Sequence, residues 1–369
     1  MPERPLFPSG YDAEPIPRTP IRPLGMVSDF VVDVLPSYLA DIRAGKRSAT
    51  ELSDAADVFV GSTRINWDEL NGDDKIRDIA LLDLILLRQG IIRAEGAMPP
   101  NLQKEVRLGA AMSRRIPALT YEDLVMVNPL GKDPRLLTTG DESKTELDFY
   151  ETHARIEADL AQVISSMVKS ITALGDTNIA PTARVAEATT LLTDAFRGIP
   201  SSHAAHTLGG IGKDMQVPHF NLFNAYFQPD PDGYRAPSGL FTTTIPCIEL
   251  LLAGENVLPS TEDEIEKSMD YYPRAGKAKL RFAQELNTHG VSLLSLTQAV
   301  GNPPDLYAQL QRAENYLRSF RRSHLKAVIN KAPDAYSGDR AGTAGVMDVK
   351  NFLEVRIDQV LIPDLEQPN

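Results

Sequence analysis

Residues Lys144–Gly175 read KTELDFYETHARIEADLAQVISSMVKSITALG. Apolar side chains recur at Phe149, Ile156, Leu160, Val163, Met167, Ile171 and Leu174, with gaps of three, four and seven. At 3.6 residues per turn these positions return to one face, so the stretch predicts one long helix with a single buried stripe. Gly175 supplies the stop expected at a helix C-terminus. His153 fills the vacant place in the stripe, between Phe149 and Ile156, and is expected to face inward.

The same period recurs on both sides of this helix. Upstream, SATELSDAADVFV opens with a capping box, Ser48 and Glu51. DDKIRDIALLDLILLRQGIIRAEG reads as a buried helix, and PNLQKEVRLGAAMSRRI and TYEDLVMVN as shorter helical pieces. Downstream, VPHFNLFNAYF starts with Pro218 at a plausible first helical position. TTTIPCIELLLAGE is an apolar helix carrying one acid, Glu249. AGKAKLRFAQELNTHGVSLLSLTQAV reads as helical, and PDLYAQLQRAENYLRSFRRSHLKAVINKA as a long helix. No alternating strand pattern and no internal repeat is found, so the expected class is all-α. Seven prolines in the first 25 residues forbid a helix there, and residues 1–25 are read as an extended arm. The polar stretch PLGKDPRLLTTGDESK is read as a boundary between a small helical domain, 26–130, and a large one, 131–369.

Composition narrows the function classes. The chain has 369 residues, 42% hydrophobic and 24% charged, as in ordinary globular proteins. No apolar run reaches the roughly 18 residues of a membrane span, and no secretory signal is read at the N-terminus. The single cysteine, Cys247, excludes intramolecular disulfides and Cys-type zinc sites and fits a reducing cytoplasm. A net charge of −12 argues against a nucleic-acid partner, which requires a basic face.

Six histidines are available, and two, His153 and His324, lie on apolar stripes of long helices. A single histidine on such a face is more often a core residue than a ligand. In the last long helix Leu317, Phe320, His324 and Val328 follow one face, and Arg321 stands one turn before His324. A buried arginine needs an anion, and Glu249, a substrate carboxylate or a cofactor acid group are the candidates. His203 and His206 have helical metal-ligand spacing, but no carboxylate is near and a polar loop is the simpler reading. GGIGKD fails the phosphate-loop pattern, because Thr207 stands at the first glycine position and Asp214 follows the lysine. No G-x-S-x-G is present.

YLRSFRRSHLKAVINKA followed by AGTAGVMDVKNFLEVR resembles the C-terminal signature of the indoleamine/tryptophan 2,3-dioxygenase superfamily, an Arg-x-x-His helix and a Gly-Thr-x-Gly loop before an Asn-Phe-Leu helix. IPALTYEDLVMVNPLGKDP and APSGLFTTTIPCIELLLAG resemble the family's small-domain segment and its serine-containing loop with the acid-bearing helix. The likeness covers roughly residues 75–356; it extends to the related pyrrolnitrin-pathway enzyme that rearranges a chlorotryptophan.

The resemblance implies haem b in the large helical domain, O₂ as co-substrate and a small indole-type substrate. His324 would be the iron ligand, with Arg321 paired to Glu249 and to a haem propionate. His153 would be the catalytic distal group. Tyr121, Phe149, Tyr150, His219, Phe220, Asn224, Ser238, Gly342 and Thr343 would line the substrate site. The chain departs from the family at His219 and Asn224, where the family has an aromatic residue and a carboxylate-clamping arginine. Asparagine cannot form that bidentate charged pair, so a substrate other than free L-tryptophan is expected. Arg235 and Lys213 are the cations available to compensate. The implied activity is a haem-dependent aromatic oxygenase, in a dioxygenating or a diverged form; the alternative is a non-catalytic haem carrier or sensor on the same scaffold. Oligomeric state is not readable.

Overall fold

The computed structural model describes residues 21–70, 72–196, 242–257, 259–331 and 349–364, and between them 218, 219, 222, 225–227, 231–235 and 237. For residues 259, 260, 324, 327–331 and 349–353 only the course of the helix is described. The chain is all-α: 73% of it is helical, and no strand occurs among the described residues. None of the described helices is long and apolar enough to cross a membrane.

In chain order the helices are α1 (Met26–Asp29), α2 (Leu35–Arg43), α3 (Ala49–Ser62), α4 (Trp67–Leu70), α5 (Asp74–Arg93), α6 (Pro100–Met112), α7 (Asp141–Gly175), α8 (Pro181–Phe196), α9 (Thr244–Ala253), α10 (Pro259–Ser268), α11 (Arg274–Thr288), α12 (Leu293–Ala299), α13 (Pro304–Lys331) and α14 (Val349–Asp358). Ser48 and Glu51 form the expected reciprocal cap at the start of α3. The segment from Ala275 to Val300, read as helical, holds two helices, α11 and α12. Gly290 (φ +67°) turns the chain, and Ser292 starts a new capped helix with Ser295.

Two apolar cores organise these elements. The first surrounds α5, whose residues are buried on every side. Such a helix must find partners for its polar groups. Arg77 Nε donates to Ser113 Oγ at 3.2 Å, Gln89 Nε2 to the Tyr226 carbonyl at 2.6 Å, and Arg88 pairs with Asp232 at 2.9 Å. Asp83 meets Arg135, a fully buried guanidinium whose Nε and Nη2 donate to it at 2.8 and 3.3 Å. Arg135 also donates to the carbonyls of Asp133 (2.8 Å) and Ile21 (2.5 Å). The second core packs α8, α9, α12 and α13 around the C-terminal two thirds of α7.

The polar stretch 129–144 is not a loose connector. Leu137 is buried, and Glu146, buried on α7, accepts from the backbone N–H groups of Leu137 (2.9 Å) and Thr138 (2.9 Å), the Thr138 hydroxyl (2.5 Å) and the Tyr150 hydroxyl (2.8 Å). The two cores divide inside α7: Tyr150 belongs to the first and Ile156 to the second. His153 lies at the changeover.

Candidate functional site

The site is built on α7, on the turn that carries Tyr121, and on α9 and α13. A reciprocal cap fixes the first turn. Thr120 N–H donates to Asp123 Oδ2 at 2.9 Å, and Asp123 N–H to Thr120 Oγ1 at 3.2 Å. The chain then widens into a π-helical turn, Asp123–Val127, a local form common beside functional groups. Tyr121 and Glu122 emerge from its start, both buried.

His153 is half-buried. Its Nδ1 lies 2.7 Å from the Phe149 carbonyl oxygen, four residues back. A carbonyl only accepts, so Nδ1 carries the proton, and in the neutral ring Nε2 is the acceptor. The imidazole lies against the Phe149 ring (4.2 Å between centroids) and edge-on to Tyr121 (5.9 Å, 81°). Of the residues the sequence reading grouped as a pocket, the structure therefore brings His153, Phe149 and Tyr121 together. Tyr150 is fully buried, with its hydroxyl on Glu146. His219 lies at the first turns of α7, its Nδ1 3.4 Å from Thr145 Oγ1. Phe220, Asn224, Ser238, Gly342 and Thr343 lie outside the described residues, as do His203, His206 and Lys213.

A buried polar cluster backs Tyr121, and no motif in the sequence announced it. Glu157, one turn after His153, accepts from Thr242 Oγ1 (2.6 Å), Thr244 Oγ1 (2.5 Å) and, at 3.5 Å, the Tyr121 hydroxyl. Lys279 Nζ donates to Thr244 Oγ1 at 2.9 Å. Glu122 accepts from Thr243 N–H (3.1 Å) and Oγ1 (2.6 Å). Glu122 can reach this position because α11 presents Gly276: a Cβ there would stand 2.7 Å from Glu122 Oε2. Burial pushes the Glu122 carboxyl above its ordinary value, against the pull of Lys279. Burial and the adjacent Glu157 push the Tyr121 phenol well up, so it stays protonated. The signal for the cluster was a polar residue at i+4 from His153 and a run of three threonines before an apolar helix.

The second group joins α9 to α13. Arg321 Nη2 is ion-paired with Glu249 Oε1, and Arg321 Nη1 donates to the Arg356 carbonyl at 2.8 Å. Glu249 is fully buried and Arg321 nearly so. Burial and the like charge of Arg356 push the Arg321 pKa down to about 9. Among the described residues Glu249 Oε2 has no hydrogen-bond partner. The sequence reading expected these two side chains in contact, and they are. His324 is one turn further along α13, where the course of the helix alone is described. Arg235, a candidate cation for the substrate, is ion-paired to Glu264 at 2.5 Å.

The two groups are linked by equal steps. Thr244 bonds Glu157 and Glu249 lies five residues on. Tyr316 is within the electrostatic reach of Glu157, and Arg321 lies five residues on. Each step is about 7.5 Å of helix rise.

Arg321 and Arg356 are both buried, and they are the cations of this group that could meet the acid functions of a ligand. Among the described residues no cluster of three or more His, Cys, Asp or Glu could hold a bare metal ion. Cys247 is fully buried and its thiol is pushed up to about 12 by burial, so it is no ligand or nucleophile at neutral pH. No protein-family profile matches the chain, and no curated protein matches it.

Proposed function

We propose that the chain is a haem b-dependent oxygenase of a small aromatic, indole-type substrate. One observation carries the reading: the buried Arg321–Glu249 pair, one turn before His324 on α13. A buried arginine is a costly arrangement for a core, and a natural one beside a ligand carboxylate.

Bound haem would supply the iron that binds and activates O₂. His324 would be its protein ligand, and Arg321, with Arg356 behind it, would take its acid groups. His153 would hold the substrate: with Nδ1 donating to the Phe149 carbonyl, a neutral Nε2 accepts the N–H of an indole. Phe149 and the edge of Tyr121 give the aromatic substrate apolar walls and exclude water. Asn224, in place of a cationic clamp, makes substrates without a free carboxylate the better fit.

The test is an absorption spectrum of purified protein supplied with haem, followed by oxygen uptake with a panel of indoles. The reading expects a stoichiometric haem complex that His324→Ala abolishes, and uptake with at least one indole. A complex that forms unchanged in His324→Ala removes the ligand assignment. Haem binding without uptake by any indole returns the chain to a carrier or sensor.

A further inference from the structure

Arg115 follows helix α6, and its backbone is fixed by the way that helix ends. Arg114 takes the left-handed conformation (φ +53°), which is costly for a residue with a side chain. The N–H groups of Arg114 and Arg115 return to the carbonyls of Ala111 (3.1 Å) and Ala110 (3.0 Å). These two bonds make a Schellman stop, built here without glycine. Lys277 of α11 donates to the Arg114 carbonyl. From this seat Arg115 reaches Asp123, with Nη1 2.7 Å from Oδ1 and both side chains fully buried. Asp78 on α5 and Lys277 are further charges within its electrostatic reach.

Every polar group of Asp123 is engaged. Oδ1 faces Arg115, and Oδ2 accepts from the Thr120 N–H (2.9 Å) and hydroxyl (2.8 Å). The Asp123 N–H donates to Thr120 Oγ1 at 3.2 Å, and its carbonyl accepts from the Asn128 N–H at 2.9 Å, closing the π-helical turn. The Asn128 side chain in turn grips the Arg135 backbone, accepting from its N–H at 2.9 Å and donating to its carbonyl at 3.0 Å. The turn is thus pinned at both ends. The residues enclosed between Thr120 and Asp123 are Tyr121 and Glu122, and the Tyr121 ring stands edge-on to His153.

We propose that Arg115 is a positioning residue for the pocket: through Asp123 it fixes the turn that presents Tyr121, and so sets how far that ring stands into the pocket beside His153. The specificity consequence is the size of ring admitted. Without Arg115 the fully buried Asp123 loses this counter-charge, and the turn shifts to find it another. Tyr121 moves with the turn, and the wall it forms is no longer held in place. The inference rests on Tyr121 and His153 lining the pocket of the proposed oxygenase, but its first test needs neither haem nor turnover.

The test is nuclear magnetic resonance of the His153 ring in the full chain, assigned with His153→Asn. Tyr121→Leu first measures how far the Tyr121 ring displaces the His153 signal. Arg115→Leu is expected to move that signal in the same direction by at least half as much, and Arg115→Lys, which keeps the cation, by clearly less. Leu52→Ala, a cavity in the same core on α3, should leave the signal in place, which separates positioning from lost stability. An unmoved signal in Arg115→Leu, or an equal displacement in Leu52→Ala, overturns the proposal. Should Arg115→Leu not fold, hydrogen exchange of the natural protein still decides: the amides of Thr120, Asp123 and Asn128 should exchange as slowly as those of α5, and exchange at the rate of an open turn overturns it. In a protein that takes up oxygen with an indole, Arg115→Leu should also raise KM several-fold at a full haem complement. A protein that binds no haem refutes the oxygenase reading and leaves the His153 signals to be read as before.

Discussion

Glu249 and Arg321, 72 residues apart in sequence, form an ion pair inside the second core, and among the described residues the other oxygen of Glu249 has no hydrogen-bond partner. Removing one member strands the other in a dry interior. Glu249→Gln should therefore destabilise the haem-free protein by about 3–5 kcal/mol, the usual cost of an uncompensated buried charge. The double change Glu249→Leu with Arg321→Met should recover most of it, because apolar replacement of a whole buried pair is often neutral. Denaturant unfolding of the three proteins measures this. If the pair serves a haem acid group, the double variant folds but retains haem poorly; a double variant with full haem affinity separates the pair from the cofactor.

Arg135 offers a contrasting case. Its guanidinium is bonded on every nitrogen, to Asp83 and to two carbonyls, one of them that of Ile21. Asp83→Ala should cost about 3–5 kcal/mol and loosen the chain around Ile21, whose carbonyl Arg135 holds. Faster proteolysis near that residue, alongside a lower urea midpoint, is the expected result, and an unaltered midpoint would count against it.

Glu122 and Glu146 give the folded state a pH dependence of definite sign. Burial pushes both carboxyls above their ordinary values. Between the ordinary carboxyl range and the raised values the folded protein binds more protons than the unfolded chain. Stability contributed by these groups is thus greatest at the acid end of that window and declines as pH rises through it. Urea midpoints measured from pH 5 to pH 8 should fall, and a steady rise over that range would contradict the assignment.

Glu146→Gln tests the joint between residues 129–144 and α7. All four groups that reach Glu146 are donors, two of them backbone N–H groups. An amide turns an NH₂ toward at least one of them. A loss of about 1–3 kcal/mol is expected from the buried donors left unpaired, read by thermal unfolding, whereas Tyr150→Phe removes a single donor and should cost less.

The substrate reading has its own test. With Asn224 in place of a cationic clamp, indoles lacking a carboxylate should be turned over in preference to L-tryptophan, and Asn224→Arg should improve L-tryptophan binding. His153→Ala should slow turnover with haem still in place. Oxygen uptake and difference spectra across the panel report all three; efficient conversion of L-tryptophan alone would reverse the expected preference.

The all-α class was legible because the burial stripes of α7 and α13 are long enough for the 3.6-residue period to be unmistakable. His153 and Arg321 could be singled out for the same reason: a polar side chain inside an apolar stripe is visible at once. α8 escaped notice although Pro181 opens it and Val185, Ala188 and Leu192 share its inner face, because its alanines and threonines dilute the apolar pattern. The Glu157 cluster was hidden for a different reason. Its members come from four separate elements, and a buried carboxylate is distinguished from a surface one only by partners distant in sequence. The break between α11 and α12 turns on the left-handed conformation at Gly290, which the apolar period alone does not reveal.

Helix α7 is 35 residues long, a rod of about 52 Å. Its first turns are mortared into one core and the remainder into the other, with His153 where ownership passes. A hinge between the two halves would have to crease this rod beside the pocket and break consecutive backbone hydrogen bonds. The two cores are therefore splinted together by one continuous helix, and the wall that Phe149 and His153 form is built on that splint.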